Sequence, residues 1–196
     1  MPDTYHHGDL RRALLDEAHA VLAERGVGAL SLRDLARRTD VSPTAPYHHF
    51  KGKTDLVCAL AEDALDGLDR ALAAPDHADP AERIRAMGVA YVRYAVAHPE
   101  RFRLAFRPEM GDPFAGLAQD DGALPDDIAG FRHLLRAVSE LDADAAEQVP
   151  LAVALWSLVH GLAALLVDGP LRTLAADPDR VEALAQDVTN QVWFTG

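Results

Sequence analysis

Polar side chains that can donate hydrogen bonds to phosphates or to base edges cluster in one short stretch of the chain: Ser42, Thr44, Tyr47, His48 and Lys53. Ala45 and Pro46 lie between them and are small and apolar, which suits contact with base edges or thymine methyl groups. The free N–H groups at the start of a helix, together with nearby hydroxyls, also bind phosphate. The chemistry that this stretch indicates is therefore recognition of a nucleic acid.

Two short helices joined by a turn are the elements that must position these side chains. Ser31-Leu32-Arg33-Asp34 resembles a capping box and predicts a first helix that ends at Arg38. Ser42 followed by Pro43 predicts the start of a second helix, which runs to Phe50. The connection Thr39-Asp40-Val41 completes a helix-turn-helix, with Ser31 and Arg33 as further candidate DNA contacts.

Charge is distributed in a way that permits DNA binding only near the N-terminus. The chain carries a net charge of −12, but residues 1–60 hold eight basic and eight acidic residues and are neutral. The remaining residues, 11 basic and 23 acidic, supply the whole excess. Only the N-terminal segment can approach a phosphate backbone without strong repulsion.

Helical periodicity recurs along the chain and no strand-like alternation persists, so the fold class is all-α. We predict about nine helices: Asp9–Arg25, Ser31–Arg38, Pro43–Phe50, Thr54–Leu72, Pro80–His98, a brief helix from Pro99, Asp126–Glu140, Ala143–Val167 and Pro178–Phe194. Gly26 is the expected stop of the first helix, and Arg107–Pro125 is expected to be an irregular loop. We place a DNA-binding domain at residues 1–55 and an effector-binding and dimerisation domain at residues 56–196.

The segment from Ser31 to Leu56 resembles the DNA-binding domain of the TetR family of transcriptional regulators. The matching residues are Val41-Ser42, Tyr47-His48-His49-Phe50 and Lys53, within a likeness that covers about residues 8–60. The resemblance implies that Tyr47 and Lys53 contact phosphates, that Thr44 to Pro46 and His48 face the groove, and that His49 and Phe50 pack between helices.

One residue departs from the family pattern. Asp40 stands where the family usually has glycine in the turn. A left-handed backbone is normal at such a position, and aspartate adopts it more readily than most residues. We therefore expect Asp40 to fit the turn, and its carboxylate to weaken DNA affinity or to impose selectivity.

The C-terminal part carries a second, shorter resemblance. Trp156, His160 and Gly161 match the Trp-x-x-x-His-Gly signature of one TetR subgroup, and Tyr5–Arg11 resembles the opening of its members. Six side chains are candidates for the wall of an effector pocket: Tyr91, Tyr94, Phe102, Phe106, Trp156 and His160. The alternative for the last two is that Trp156 is an ordinary core residue and that His160 is a hydrogen-bonded buried histidine.

The helix predicted at Ala143–Val167 is apolar nearly all round, which is unusual for a surface helix of a monomer. Pairing with a second subunit, with Pro178–Phe194 as the companion helix, would form a four-helix bundle across a two-fold axis. The same symmetry would place two recognition helices on the half-sites of a palindromic operator in double-stranded DNA.

Other classes of function find less support in the sequence. No Gly-rich phosphate loop, nucleophile elbow or metal-ligand spacing points to an enzyme or a cofactor, and His6-His7 alone is a weak metal site. The single cysteine and the absence of a signal-peptide layout or an uninterrupted membrane span predict a cytoplasmic protein. We expect a homodimeric repressor released by a small-molecule effector; the alternative is a helical ligand-binding or partner-docking module that has lost DNA binding.

Overall fold

The computed structural model describes residues 7–107, 130–141 and 144–191, with side chains from residue 10 onward. The secondary structure of these residues is helical throughout, as the periodicity predicts. The α-helices are α1 (His7–Arg25), α2 (Leu32–Arg38), α3 (Lys53–Ala73), α4 (Pro80–Ala97), α5 (Pro99–Ala105), α6 (Phe131–Ser139), α7 (Ala145–Val167) and α8 (Pro178–Asn190).

Local caps decide where several of these helices begin and end. Asp79 accepts a hydrogen bond from the Ala81 amide (2.8 Å) in front of α4, and Asp177 accepts one from the Arg180 amide (3.2 Å) in front of α8. In both helices proline is the first residue, where its missing N–H has no helical partner to lose. Gly26, with a φ of 72°, follows the end of α1. These starts and this stop were all predicted from the sequence.

The recognition segment, Pro43–Phe50, differs from the α-helix that the sequence predicts. It contains a short 3₁₀ helix, Ala45–His48, entered by a turn in which the Ala45 amide binds the Ser42 carbonyl (3.0 Å). An α-helix would require the amide of residue 46 to bind that carbonyl, and Pro46 has no amide hydrogen. The tighter 3₁₀ pattern follows from the position of this proline.

The capping box predicted at the start of α2 does not form. Ser31 has the extended backbone of an N-cap residue, but its side chain makes no capping hydrogen bond. The Asp34 carboxylate binds three arginines instead, namely Arg25, Arg37 and Arg38. The prediction was wrong because charged partners from α1 and α2 outcompete a serine amide for this carboxylate.

The described residues form two compact units. One comprises residues 7–64 and 100–107; the other comprises residues 65–99, 130–141 and 144–191. Helix α3 is continuous and contributes its first part to the N-terminal unit and its remainder to the C-terminal unit. The core of the N-terminal unit joins apolar residues of α1, α2 and α3 with Phe50 and with Leu104 of α5.

The C-terminal unit is organised around α4, which packs against α6, α7 and α8. By length and composition α7 could cross a membrane: its most apolar stretch has a mean hydropathy of 2.0, and 33% of that stretch is buried. Core helices of membrane-free proteins share these properties, and the buried face of α7 includes Leu155, Val159, Leu162 and Leu166. The apolar character of α7 is thus partly explained by the core that it helps to form.

Several predictions fall wholly or partly outside the described residues. These are the histidine pair His6-His7, most of the loop Arg107–Pro125, the predicted helix start at Asp126 and the predicted helix end at Phe194.

Candidate DNA-binding interface and effector site

The turn between α2 and the recognition segment is closed by backbone hydrogen bonds. The Val41 amide binds the Ala36 carbonyl (2.9 Å) and the Asp40 amide approaches the Arg37 carbonyl (3.4 Å), the pair of bonds that defines a Schellman motif. Asp40 has a φ of 54°, as predicted, and is the one non-glycine residue with positive φ in the described part of the chain. The chain reverses here and brings the recognition segment back across α2.

The recognition segment presents three polar side chains to solvent. Thr44 and His48 are exposed, and Tyr47 has 55% of its surface accessible, an unusually high value for an aromatic residue. The Ser42 and Thr44 hydroxyls lie 3.2 Å apart and form one polar edge. A row of donors on an exposed turn is the arrangement that groove and phosphate contacts require.

Pro46 is buried, and the prediction that it faces the groove was wrong. The 3₁₀ winding turns its ring toward the core while leaving Tyr47 and His48 outside. Ala45 is half-buried and retains some accessible surface. Among the small apolar residues of this segment, Ala45 is therefore the better candidate for contact with a base.

The remaining predicted DNA contacts flank the recognition segment. Ser31 and Arg33 are exposed at the start of α2. The Lys53 ammonium group donates a hydrogen bond to the Gly28 carbonyl (2.8 Å), in the 3₁₀ turn between α1 and α2. Lys53 is exposed, so this bond to a neutral carbonyl restrains the ammonium group without neutralising it.

An arginine network centred on Asp34 ties α1 to α2. Its carboxylate lies 2.6 Å from Arg37, 3.1 Å from Arg25 and 3.1 Å from Arg38. Hydrogen bonds from Arg37 and Arg25 lead in lowering the pKa of Asp34 to about 2. The carboxylate thus stays ionised over the whole physiological range and holds the first helix of the motif in place.

A second polar cluster, here called the Asp63 cluster, lies in the N-terminal unit and was missed by sequence reasoning. It consists of Asp63 with His19 (2.7 Å), Arg12 (3.0 Å) and Arg101 (3.7 Å). The signal was available: Asp63 falls at helical spacing from the buried Leu56 and Leu60, a position where a carboxylate needs partners.

Burial tends to raise the pKa of Asp63, but His19 and the two arginines outweigh it and the pKa lies below its ordinary value. The pKa of His19 is also lowered, first by burial and then by Arg101, against the pull of Asp63. The His19 Nδ1 atom is buried and has no hydrogen-bond partner among the described residues, so an imidazolium would bury an unsatisfied N–H there. Neutral His19 donating from Nε2 to ionised Asp63 fits both observations.

Three of the six candidate pocket residues meet in the C-terminal unit and form what we call the Tyr91 cluster: Tyr91, Trp156 and His160. The Tyr91 hydroxyl lies 2.8 Å from His160 Nδ1 and accepts a longer hydrogen bond from Trp156 Nε1 (3.4 Å). Burial raises the pKa of Tyr91 and lowers the pKa of His160, which keeps both groups neutral near pH 7. The cluster is a set of neutral hydrogen-bonding groups in which Tyr91 is buried and Trp156 and His160 are half-buried.

The other three candidates lie elsewhere. Tyr94 stacks near His98 (ring centroids 5.0 Å apart) and faces α3, where a Cβ at Gly67 would lie 2.6 Å from the Tyr94 hydroxyl. Phe102 and Phe106 lie on α5 and its end in the N-terminal unit, with their rings 5.2 Å apart. Phe131, which the sequence did not single out, meets Trp156 edge to face at 6.4 Å.

Comparison with known proteins agrees with this geometry. Residues 14–60 match the family model described as bacterial regulatory proteins, tetR family, and residues 84–188 match the model described as the tetracyclin repressor-like C-terminal domain. The second match alone spans more than half of the chain. The protein is a member of the TetR family.

Individual TetR-family and related proteins show how far the likeness extends. A structure of a protein of unknown function from Rhodococcus sp. RHA1 is 32% identical, covers 96% of this chain and 97% of its own, and has a TM-score of 0.70. A TetR variant from Acinetobacter baumannii AYE in complex with minocycline shares the fold at 18% identity, with 92% of each chain covered and a TM-score of 0.59.

A curated relative matches a smaller part of the chain than these structures do. The HTH-type transcriptional regulator BetI of Rhizobium meliloti (strain 1021) is 34% identical over 79 residues. This alignment spans 39% of the present chain and 39% of BetI, so the chain matches about two fifths of that relative's length. The Trp-His-Gly subgroup within the TetR family stays a prediction.

Proposed function

We propose that this TetR-family protein is a homodimeric, cytoplasmic transcriptional repressor that binds a palindromic operator and is released by a small-molecule effector. The observation that carries the proposal is the exposed polar surface of the recognition segment, with Thr44, Tyr47 and His48 presented beyond the Asp40 turn. A neutral N-terminal unit on an acidic chain directs DNA toward this surface and away from the rest.

Two kinds of DNA contact follow from the positions of these residues. Tyr47 and Lys53 would bind phosphates and set the register of the protein on the duplex, helped by the hydroxyls of Ser31 and Ser42. Base edges would be read by the side chains with surface on the groove side of the turn: Arg33, Thr44, Ala45 and His48. Pro46 is left out of this set because it is buried.

Dimerisation would use the outer face of α7. Leu158 and Leu165 are 38% and 43% exposed, and Gly161 between them has open space where a Cβ would stand. Large apolar side chains on a solvent-facing helix are stabilised when a second subunit covers them, and a two-fold axis does so with one surface patch.

The effector site would be formed around the Tyr91 cluster, between α4, α6 and α7. A buried phenol with a half-buried imidazole and indole provides hydrogen-bonding groups without net charge, which suits a largely apolar ligand with a few polar atoms. The Acinetobacter TetR variant, which shares the fold, was crystallised in complex with minocycline, and this supports the proposal that the present protein also binds a small molecule. Release requires that the ligand prefer a conformation whose recognition segments no longer match the two half-sites.

Selection of the purified protein against random duplex DNA, followed by anisotropy titration at two salt concentrations, tests this function. A palindromic site should be enriched, and affinity for it should fall steeply as salt rises. Tyr47→Phe removes one hydroxyl per subunit and should weaken binding of the dimer about thirtyfold, at roughly 1 kcal/mol for each of the two lost hydrogen bonds. Tyr94→Phe removes a hydroxyl from the C-terminal unit and is the matched control, with unchanged affinity.

A second candidate function, a ligand-binding or partner-docking module without DNA binding, is favoured by Asp40. Its carboxylate is exposed in the turn beside the recognition segment and would repel phosphate. A folded dimer that enriches no DNA sequence would support this candidate and refute the repressor.

A further inference from the structure

The basic residues of the N-terminal unit fall into two groups, according to whether a carboxylate lies within ion-pair distance. Between residues 10 and 64, four arginines form ion pairs with described carboxylates: Arg12 with Asp16 and Asp63, Arg25 and Arg37 with Asp34, and Arg38 with Glu17 and Asp34. The other four bases make no ion pair with any described residue: Arg11, Arg33, Lys51 and Lys53.

Two of these four, Arg33 and Lys53, are already candidate DNA contacts. The group of bases without a carboxylate partner therefore includes both basic residues that we propose as DNA contacts. None of the four ion-paired arginines is among the proposed contacts. An arginine already paired with a carboxylate has part of its charge offset and fewer free N–H donors for a phosphate. The remaining two bases without a carboxylate partner are Arg11 and Lys51.

Arg11 is exposed on α1, and its guanidinium carbon lies 5.5 Å from the centroid of the Phe50 ring. Phe50 is 1% exposed, and its amide binds the Pro46 carbonyl (2.9 Å), so the ring is rigidly joined to the recognition segment. The contact thus places Arg11 beside the end of the segment that faces DNA. Lys51 follows Phe50 directly in the chain.

We propose that Arg11 is a phosphate-binding residue of the DNA interface, held beside the recognition segment by the Phe50 ring. The inference rests on the DNA-binding function proposed above. A guanidinium held over an aromatic ring by a cation–π contact uses none of its N–H donors in that contact, and these donors can bind phosphate in a fork. Stacking also restrains the side chain before binding, which reduces the entropy lost on forming the contact.

Arg11→Gln in the full-length protein tests the role, with anisotropy titrations on the selected operator and on a random duplex over a series of salt concentrations. Loss of one phosphate contact should lower affinity roughly tenfold per subunit near 0.1 M salt, equally for both duplexes. The slope of log affinity against log salt should fall by about one for each subunit.

Two further variants separate the contact from general effects of charge and packing. Arg172→Gln removes an exposed arginine from the C-terminal unit and should leave affinity and salt slope unchanged. Arg11→Lys keeps the charge while weakening the stacking, and should recover most of the salt slope but only part of the affinity. Thermal unfolding monitored by circular dichroism should show that all three variants are folded at the assay temperature.

The outcomes distinguish this proposal from the one on which it rests. If the wild-type protein binds no duplex at any salt concentration, both fall. If it binds and Arg11→Gln binds equally well, or binds more weakly with an unchanged salt slope, only the role of Arg11 is overturned. Equal weakening by Arg172→Gln would also overturn it, because net charge would then explain the effect.

Discussion

At the scale of single residues, Asp40 adopts the left-handed backbone conformation that glycine usually provides in such a turn. Its φ of 54° is imposed by the two Schellman bonds that end α2. A left-handed conformation is unfavourable for residues with a Cβ, and less so for aspartate, whose short polar side chain bonds locally. The residue type at this position therefore affects both the stability of the turn and the charge near DNA.

Asp40→Gly should maintain or raise the free energy of unfolding, whereas Asp40→Ala should lower it by about 1 kcal/mol. Glycine adopts the left-handed region freely, while alanine has the steric penalty without the polar side chain. Urea unfolding of the three proteins measures the difference. Equal stability of the glycine and alanine variants would mean that the backbone of residue 40 is not held at positive φ in solution.

His19 is the residue whose protonation is most constrained by its surroundings. Its side chain is 5% exposed, its Nε2 atom bonds Asp63, and its Nδ1 atom has no partner in the part of the chain that the structure describes. The charged groups around it in the N-terminal unit are Asp63, Arg12 and Arg101. Because its pKa is lowered on folding, the unfolded chain binds a proton more readily than the folded protein does as pH falls below about 6.5.

The free energy of unfolding should consequently decrease as pH is lowered from 7 toward 5, and His19→Gln should reduce that decrease. Glutamine retains an N–H donor for Asp63 but does not titrate. His160, whose pKa is also lowered, contributes in the same direction, so the slope is reduced and not abolished. His48→Gln changes an exposed histidine and is the control; an effect as large as that of His19→Gln would contradict the assignment.

At the scale of elements, the C-terminal unit depends on the close approach of α4 to α7 and α8. A Cβ at Gly88 of α4 would lie 2.8 Å from Thr189 Cγ2 of α8 and 3.1 Å from Val159 Cγ1 of α7. Thr189 cannot rotate away freely, because its hydroxyl is bonded to the Ala185 carbonyl (2.9 Å). A glycine in mid-helix, normally unfavourable, is needed here for packing.

Gly88→Ala should lower the free energy of unfolding by about 1–3 kcal/mol, the usual effect of one extra methyl group in a packed core. The gain of up to about 1 kcal/mol in helix propensity offsets part of this loss. Thr189→Ser removes the methyl group that clashes, so the double variant Gly88→Ala/Thr189→Ser should regain part of the stability. Urea unfolding measures the stability of both variants. If the double variant is no more stable than Gly88→Ala, the contact with the Thr189 methyl group is not the cause of the lost stability.

At the scale of the whole molecule, function as proposed depends on two copies of the chain. One recognition segment covers a single half-site, and a palindromic operator requires two related by symmetry. The exposed apolar residues on the outer face of α7, Leu158 and Leu165, are the surface that we propose joins the copies. Affinity for an operator is then inseparable from the association of the subunits.

Leu165→Arg should convert the protein to a monomer and lower operator affinity by at least about a hundredfold, because a charge at the centre of an apolar interface is buried without a partner. Sedimentation velocity and anisotropy titration on the same samples measure the two effects. Ala176→Arg adds the same charge at an exposed position outside α7 and should leave the dimer intact. A Leu165→Arg variant that remains dimeric would show that the interface lies elsewhere.

Features that depend on neighbours along the chain could be predicted from the sequence. The all-helical class, the helix starts at Pro80 and Pro178, the stop at Gly26 and the left-handed turn at Asp40 follow from caps and turn residues within a few positions of each other. The motif around Tyr47 and Lys53 was likewise sufficient to predict the TetR family. Caps and turns depend on residues that are adjacent in the sequence. A periodic apolar pattern in addition predicts the extent of whole helices.

Features that depend on residues far apart in the chain were decided only by the tertiary structure. Pro46 is buried, Asp34 of α2 binds Arg25 of α1, and Asp63 meets His19 across 44 positions of sequence. Each of these outcomes is a competition among partners for one polar group or one place in the core. Spacing along the chain can indicate that a group such as Asp63 needs a partner, but which partner it finds depends on distances that only folding creates.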